Sequence, residues 1–155
     1  MILKNTINSL QIKVKKLHPD AAIPTYAKLG DAAMDLYAIE KGLADGYGNM
    51  VYKTGLAIEI PYGFVGLIFP RSSVSKTNHM LRNHVGVIDS GYRGELILKF
   101  GWFSQVDEHS ACSVYDKGDR IGQLMIIPYP QIDFIEVEEL SNSDRGVGGF
   151  GSTGS

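Results

Sequence analysis

The sequence lacks several features that would each point to a particular class of protein. It contains one cysteine, Cys112, so no disulfide can form within the chain, which favours a cytoplasmic protein. Its 15 Lys and Arg residues are outnumbered by 17 Asp and Glu, without the basic excess that is typical of nucleic-acid-binding domains. No apolar run is long enough to predict a membrane span or a signal peptide.

Zinc sites and nucleophilic triads are also poorly supported. The four histidines show no metal-ligand spacing, one cysteine cannot complete a zinc site, and no Gly-x-Ser-x-Gly elbow is present. The run GVGGFGST at residues 146–153 has the spacing of a P-loop, but Ser152 stands where that loop needs its lysine.

The dominant hydrophobic period is two, which indicates strands. Alternating or short apolar runs predict strands at residues 10–14, 56–60, 64–69, 96–100, 121–127 and 134–137. A weak pattern at residues 73–81 predicts at most one short helix. Many short strands between 18 glycines favour an all-β sandwich or a jelly-roll-like barrel. We expect one domain over residues 1–140, followed by a Gly-rich segment at 141–155.

That C-terminal segment has almost no aliphatic side chains, so it cannot bury enough surface to order alone. It is either a dispensable end or an arm that orders on a ligand. The backbone N–H groups of its glycines, together with Ser152 and Thr153, could bind phosphate oxygens. Arg145 would add a guanidinium group that can donate two parallel hydrogen bonds. Phe150 could stack on a nucleobase.

Two short segments have both a structural and a functional interpretation. Asp89, followed by Ser-Gly, is typical of a hairpin turn, yet the same turn could present Asp89 and Tyr92 to a ligand, where a carboxylate can activate water. The segment PRSS at residues 70–73 follows an apolar strand, where backbone amides, hydroxyls and Arg71 favour an anion. An ordinary turn is the alternative for each.

Three polar residues interrupt or flank apolar strands. Gln123 lies in an apolar run, and an inward-facing amide needs a partner. Asp35 is a similar case, unless it faces water at a sheet edge. Asp119 and Arg120 are interpreted as a surface ion pair of little energetic value.

Five segments, taken in order, resemble the motifs of the homotrimeric dUTPase family. They are AAMDL at 32–36, PRSS at 70–73, NHVGVIDSGYRGE at 83–95, GDRIGQL at 118–124 and RGVGGFGSTG at 145–154. The third and fifth are the most specific. The sequence departs from the family's usual pattern at a few small residues, among them Gly122, where the family often has Ala. The resemblance implies the distorted jelly-roll, or β-clip, fold of that family, with a flexible C-terminal arm that closes the site.

The resemblance also implies roles for individual residues. Asp89 matches the carboxylate that activates the attacking water, Tyr92 the ring that packs on the deoxyribose, and Asn83 with the backbone around Val87 the uracil-reading element. Asp35 matches a carboxylate near Mg²⁺, acting through the metal's waters. The phosphate-contacting and arm positions match Arg71, Ser72, Ser73, Gln123, Arg145, Phe150, Gly151, Ser152 and Thr153.

The implied activity is cleavage of dUTP to dUMP and diphosphate, with Mg²⁺ as cofactor and with active sites shared in a homotrimer. Neither a nucleic acid nor a membrane is an expected partner. Two alternatives stay open at this point. One is a dCTP deaminase or a bifunctional enzyme on the same fold, for which Glu95 is the nearby acid/base candidate. The other is a nucleotide-sensing module that controls a regulatory protein partner.

Overall fold

A computed structural model of the protein describes residues 9–102 and 114–149. These ranges contain ten strands and one 3₁₀ turn, and no helix within them is long and apolar enough to cross a lipid bilayer. The strands are β1 (Lys13–Lys16), β2 (Met34–Tyr37), β3 (Leu43–Ala44), β4 (Met50–Lys53), β5 (Leu56–Glu59), β6 (Phe64–Phe69), β7 (His79–Leu81), β8 (Gly86–Ile88), β9 (Ile97–Trp102) and β10 (Arg120–Pro128), and the 3₁₀ turn is Ser72–Lys76.

The described strands form three sheets, and all their pairings are antiparallel. The first sheet has the order β2-β10-β6-β8, the second has the order β3-β4-β9-β7, and β1 and β5 form a two-stranded ribbon. This arrangement confirms the prediction of an all-β fold with jelly-roll-like character.

Residues from all three sheets contribute to one hydrophobic core. On β9 and just before it, Leu96, Leu98 and Phe100 are at most 1% exposed, whereas Ile97 between them is 42% exposed. This confirms the period-two pattern read from the sequence, because successive strand residues face opposite sides of a sheet. Tyr52 packs edge to face on Phe100 with 5.7 Å between ring centroids, a geometry that stabilises by about 0.5–1.5 kcal/mol beyond burial.

The structure differs from the sequence-based predictions in two segments. Residues 134–137 form no strand, because a strand needs a neighbour for its backbone hydrogen bonds and the described part of the chain supplies none there. Phe134 is 95% exposed. The helix predicted at 73–81 is only the 3₁₀ turn, since His79 and Leu81 are buried on β7, which pairs with β9.

Candidate active site

Three strands of the first sheet bring polar residues from separate sequence segments into one row. Gln123 on β10 is the cross-strand partner of Asp35 on β2 and of Phe69 on β6. Residues paired across neighbouring strands project from the same face of a sheet, and Pro70 and Arg71 follow directly where β6 ends. Sheet register therefore joins the segments at 32–36, 70–73 and 118–124.

The Asp35 carboxylate lies between two arginines. Arg71 Nε donates to Asp35 Oδ1 at 2.8 Å, and Arg120 Nη1 donates to Asp35 Oδ2 at 3.3 Å. The side chains of Asp35 and Arg71 are 15% and 25% exposed, so water screens this pair less than it screens a surface pair. The alternative that Asp35 simply faces water is therefore wrong.

Gln123 has the partner that an inward-facing amide needs, since its Nε2 donates to the Pro70 carbonyl at 3.3 Å. Asp35, Arg71, Arg120 and Gln123 line an open pocket of about 660 Å³. Two guanidinium groups and an amide around one opening are donors that match phosphate or carboxylate oxygens. We call these four residues the β10 half of the site.

Arg120 is the member of this group that the sequence interpretation missed. It does not pair with Asp119, whose Oδ2 instead accepts the Asp116 backbone N–H at 2.8 Å. The pairing of β10 with β2 shifts register between Arg120 and Gly122, and such irregularities re-aim side chains. The sequence carries no local signal for this irregularity.

The donor set around Asp35 fits a magnesium ion held through water. Among the described residues no three His, Cys, Asp or Glu side chains are grouped to hold a metal ion, but Mg²⁺ keeps several waters and takes other ligands from substrate phosphates. Each Asp35 oxygen retains a lone pair beyond the one that its arginine uses. It can therefore accept a hydrogen bond from a metal-bound water, which is the contact that the family resemblance implies.

Ser72 and Ser73 begin the 3₁₀ turn directly after Arg71. The Val74 N–H donates to the Arg71 carbonyl at 3.0 Å, so the amides of Ser72 and Ser73 precede the first hydrogen bond of the turn and have no partner within it. These amides and the two hydroxyls are the groups that the predicted phosphate contact requires. Neither residue is among those lining the 660 Å³ pocket.

Asp89 lies in an exposed turn at the end of β8. The Tyr92 N–H donates to the Asp89 carbonyl at 3.0 Å and closes the turn. Arg93 Nη1 donates to the carbonyls of Ser90 and Tyr92 at 2.7 and 2.8 Å and holds it from one side. Among residues 9–102 and 114–149, no donor is bonded to the Asp89 carboxylate, which leaves it free to accept a proton or a hydrogen bond from water.

The prediction that this turn joins two strands of one hairpin is wrong. β8 pairs with β6 in the first sheet, whereas the next strand, β9, pairs with β4 and β7 in the second sheet. The Asp89 turn is thus a crossover between sheets. Its geometry depends on how the sheets pack, and not on a two-stranded ladder.

The predicted base- and sugar-reading residues flank Asp89 along the chain. Val87 is paired with Leu67 and is 61% exposed. Asn83 lies in the turn before β8, where a Cβ at Gly86 would lie 3.4 Å from Asn83 Nδ2, so the glycine leaves room for the amide. We call Asn83, Val87, Asp89 and Tyr92 the β8 half of the site.

Within one chain, Asp89 and Tyr92 lie far from Arg71. Ile88 pairs with Gly66 near the start of β6, whereas Arg71 follows the end of that strand. The five residues from Gly66 to Arg71 correspond to roughly 16 Å of extended strand. Consistent with this separation, neither Asp89 nor Tyr92 lines the pocket around Asp35.

The C-terminal segment contributes one described site candidate. Arg145 Nε donates to the Gly148 carbonyl at 3.0 Å within an exposed turn, and in the described part of the chain no ion pair joins Arg145 to either half. Phe150, Gly151, Ser152 and Thr153 lie outside the described residues. The closing arm therefore stays a prediction.

Comparison with known proteins decides the family. The model of a family described as dUTPase matches residues 19–154, a range that includes all five motifs. The chain belongs to the dUTPase family. It is 41% identical over 144 residues to the deoxyuridine 5'-triphosphate nucleotidohydrolase of Clostridioides difficile, covering 92% of this chain and 97% of the relative. Over 154 residues it is 36% identical to the enzyme of the same name from Thermobifida fusca, covering 98% and 83%.

Solved dUTPase structures share the fold. A variant of the Staphylococcus bacteriophage 80alpha dUTPase with dUpNHpp matches with a TM-score of 0.81 and 30% identity, covering 95% of this chain and all of that one (100%). A variant of the dUTPase from phage phi11 of S. aureus, described for the coordination of a structural Mg(II) ion, matches with a TM-score of 0.72 and 26% identity, covering 86% and 100%. The dUTPase family thus accounts for the sheet order that positions both halves.

Proposed function

We propose that the chain is a dUTP diphosphatase, which hydrolyses dUTP to dUMP and diphosphate. The observation that carries this proposal is its 41% identity, over 92% of the chain, with a curated deoxyuridine 5'-triphosphate nucleotidohydrolase. The geometry supports it, because the β10 half offers cationic and amide donors for phosphates, and the β8 half offers the Asp89 carboxylate, to which no donor in the described part of the chain is bonded.

In the proposed reaction, Asp89 accepts a proton from a water molecule whose oxygen attacks the α-phosphorus. A bond forms between that oxygen and the α-phosphorus. The bond from the α-phosphorus to the bridging oxygen breaks, and diphosphate departs with the electron pair. Among the described residues no donor is bonded to the Asp89 carboxylate, so both of its oxygens can accept a hydrogen bond from that water.

The phosphates of dUTP would bind at the β10 half and the adjacent turn. Arg71 and Arg120 offset the negative charge, while Gln123 and the amides and hydroxyls of Ser72 and Ser73 donate hydrogen bonds. Mg²⁺, when bound, supplies further charge neutralisation. Asp35 would hold it by accepting hydrogen bonds from its waters. The phi11 dUTPase, which is described with a structural Mg(II) ion, supports the choice of metal.

The nucleoside would bind at the β8 half. A rigid backbone near Asn83 and Val87 can accept uracil and place another donor against the amino group of cytosine. Tyr92 would pack on the deoxyribose and leave no room for a 2′-hydroxyl. The arm residues Arg145, Phe150, Gly151, Ser152 and Thr153 would then cover the ligand and exclude water.

The chain would complete this site by forming a homotrimer. The separation of Asp89 and Tyr92 from Arg71 supports this, because the β8 half of one copy can face the β10 half of the next, and such a head-to-tail contact closes into a ring. Exposed apolar side chains after β10 also support contacts between copies. They are 54% to 95% exposed and comprise Ile132, Phe134, Ile135, Val137 and Leu140.

The deaminase alternative is not favoured. Its candidate acid/base, Glu95, accepts the Gly55 backbone N–H on Oε1 at 2.7 Å and so serves to join two loops. The family match and the relatives above are dUTPases. No observation supports a regulatory protein partner.

The activity is tested by measuring pyrophosphate release from dUTP, UTP, dCTP and dTTP, with Mg²⁺ and with EDTA. We expect release from dUTP alone, abolished by EDTA, and abolished in Asp89→Asn while dUTP binding is retained. No release from any nucleotide would refute the proposal. Loss of both binding and folding in Asp89→Asn would instead indicate a structural turn residue.

The shared site is tested by mixing two inactive variants, Asp89→Asn and Asp35→Asn, through joint refolding or coexpression. In randomly mixed trimers about one site in four would combine an intact β8 half with an intact β10 half from a different copy. Recovery of roughly a quarter of wild-type activity is the expected result. No recovery in verified mixed oligomers would contradict sites shared between copies.

A further inference from the structure

Tyr92 would have to reject a single additional oxygen atom, yet its side chain is 42% exposed. An exposed ring discriminates at this level only when its rotamer is locked by its neighbours. We infer that Gly94 and Glu95 are positioning residues that fix the Tyr92 ring and thereby set the discrimination between deoxyribonucleotides and ribonucleotides. This inference rests on the proposed function.

The Tyr92 ring lies directly against the backbone of Gly94. A Cβ at position 94 would lie 2.4 Å from Tyr92 Oη, 2.6 Å from Cζ and 2.9 Å from Cε2. These distances are far below van der Waals contact, so a side chain at position 94 and the observed ring position exclude each other. The ring is the mobile partner, because it is the end of a partly exposed side chain. Alanine at position 94 would therefore displace the ring with little effect on the fold.

A hydrogen bond also restrains the ring at its hydroxyl group. Tyr92 Oη donates to the Glu95 carbonyl oxygen at 2.9 Å. A tether of this kind restrains the ring only if its acceptor is itself fixed. The Glu95 carbonyl must therefore be held in place by the rest of the structure.

Two hydrogen bonds fix Glu95 to the buried turn between β4 and β5. Its carboxylate Oε1 accepts the Gly55 N–H at 2.7 Å, and the N–H of the next residue, Leu96, donates to the Leu56 carbonyl at 2.8 Å. Leu56 and Leu96 are at most 1% exposed. The exposed tyrosine is thus connected through one carbonyl to the core.

The Glu95 side chain has a conservative replacement that separates positioning from charge. Glutamine retains a carbonyl oxygen that can accept the Gly55 N–H, whereas alanine cannot. If Glu95 acts by positioning, glutamine preserves the discrimination and alanine does not. A chemical role for the carboxylate would be lost in both variants.

The test compares kcat/KM for dUTP and for UTP in the wild type, in four test variants and in one control variant. Gly94→Ala and Tyr92→Phe, which keeps the ring and removes the tether, are each expected to lower the dUTP-to-UTP ratio about fivefold or more, as expected for one hydrogen bond. Glu95→Ala is expected to lower the ratio, and Glu95→Gln is expected to keep it within about twofold. Gly46→Ala is the control, because a Cβ there has no atom within 4 Å.

Each outcome has a separate meaning. If the wild type releases no pyrophosphate from dUTP, the proposed function is refuted, and this inference with it. If the wild type hydrolyses dUTP selectively but Gly94→Ala and Tyr92→Phe leave the ratio unchanged, only the positioning inference is overturned. Equal losses for dUTP and UTP, together with a lower melting temperature, would assign Gly94 and Glu95 a structural role and would also overturn it.

Discussion

Replacing Asp35 by asparagine tests whether its ion pairs hold the β10 half together. At 2.8 Å, with side chains 15% and 25% exposed, the Asp35–Arg71 pair lies largely out of water. Coulomb's law at this distance and an effective dielectric constant near 20 gives a gross attraction of about 6 kcal/mol. Desolvation and side-chain entropy offset part of it, and hydrogen bonds to charged groups contribute about 1.5–3 kcal/mol net.

Asparagine retains one oxygen for Arg71 but turns an N–H donor toward Arg120. We therefore expect Asp35→Asn to lower the free energy of unfolding by about 2 kcal/mol, and the melting temperature by about 4–8 °C for a chain of this size. The matched control is Glu40→Gln, which breaks a 3.6 Å pair with Lys53 whose side chains are 46% and 48% exposed. That surface pair contributes less than about 1 kcal/mol.

Calorimetry and urea unfolding at fixed protein concentration measure both variants. A double-mutant cycle with Arg71→Gln isolates the pair, and we expect a coupling free energy above about 0.5 kcal/mol. If Asp35→Asn lowers the melting temperature no more than Glu40→Gln and couples to Arg71 by less than this value, the reasoning is refuted.

Three further predictions concern other parts of the chain. Deleting residues 145–155 should lower dUTP turnover at least tenfold with little change in melting temperature, and unchanged turnover would contradict the arm hypothesis. Burial lowers the pKa of His79 from its usual value of 6.5, so the folded state binds fewer protons than the unfolded chain and stability is lost as the pH falls through about 6.5. The melting temperature should therefore fall more between about pH 7.5 and pH 5.5 in the wild type than in His79→Leu, and parallel curves would argue against this. Gly122→Ala should lower stability by about 1–3 kcal/mol, because its Cβ would lie 2.5 Å from Leu98 Cδ2 and 3.1 Å from the Phe69 carbonyl oxygen, and a melting temperature equal to that of Gly46→Ala would contradict this.

The sequence by itself determined the fold class, the positions of β5, β6, β9 and β10, and the family. The burial of Leu96, Leu98 and Phe100 follows from a period of two, which is a local property of the strand. β6 has the bounds that were predicted for it, Phe64–Phe69. The motifs that carry the family resemblance are also contiguous, so they can be read without knowing which strands pair.

Only the tertiary structure decided which of these segments meet. Strand pairing is non-local, so the register that places Gln123 between Asp35 and Phe69 has no local signal. The same register decides that Arg120 faces Asp35 and not Asp119. Residues 134–137 have strand-like alternation but no partner strand in the described chain, and a strand forms only where another strand completes its hydrogen bonds.

The position of Asp89 also depended on tertiary structure. Its local sequence is typical of a hairpin, yet the strands on either side belong to different sheets. Sheet order then places Asp89 at the opposite end of β6 from Arg71. Local residue preferences determine turns and faces, whereas the distance between two turns is set by the packing of the whole chain.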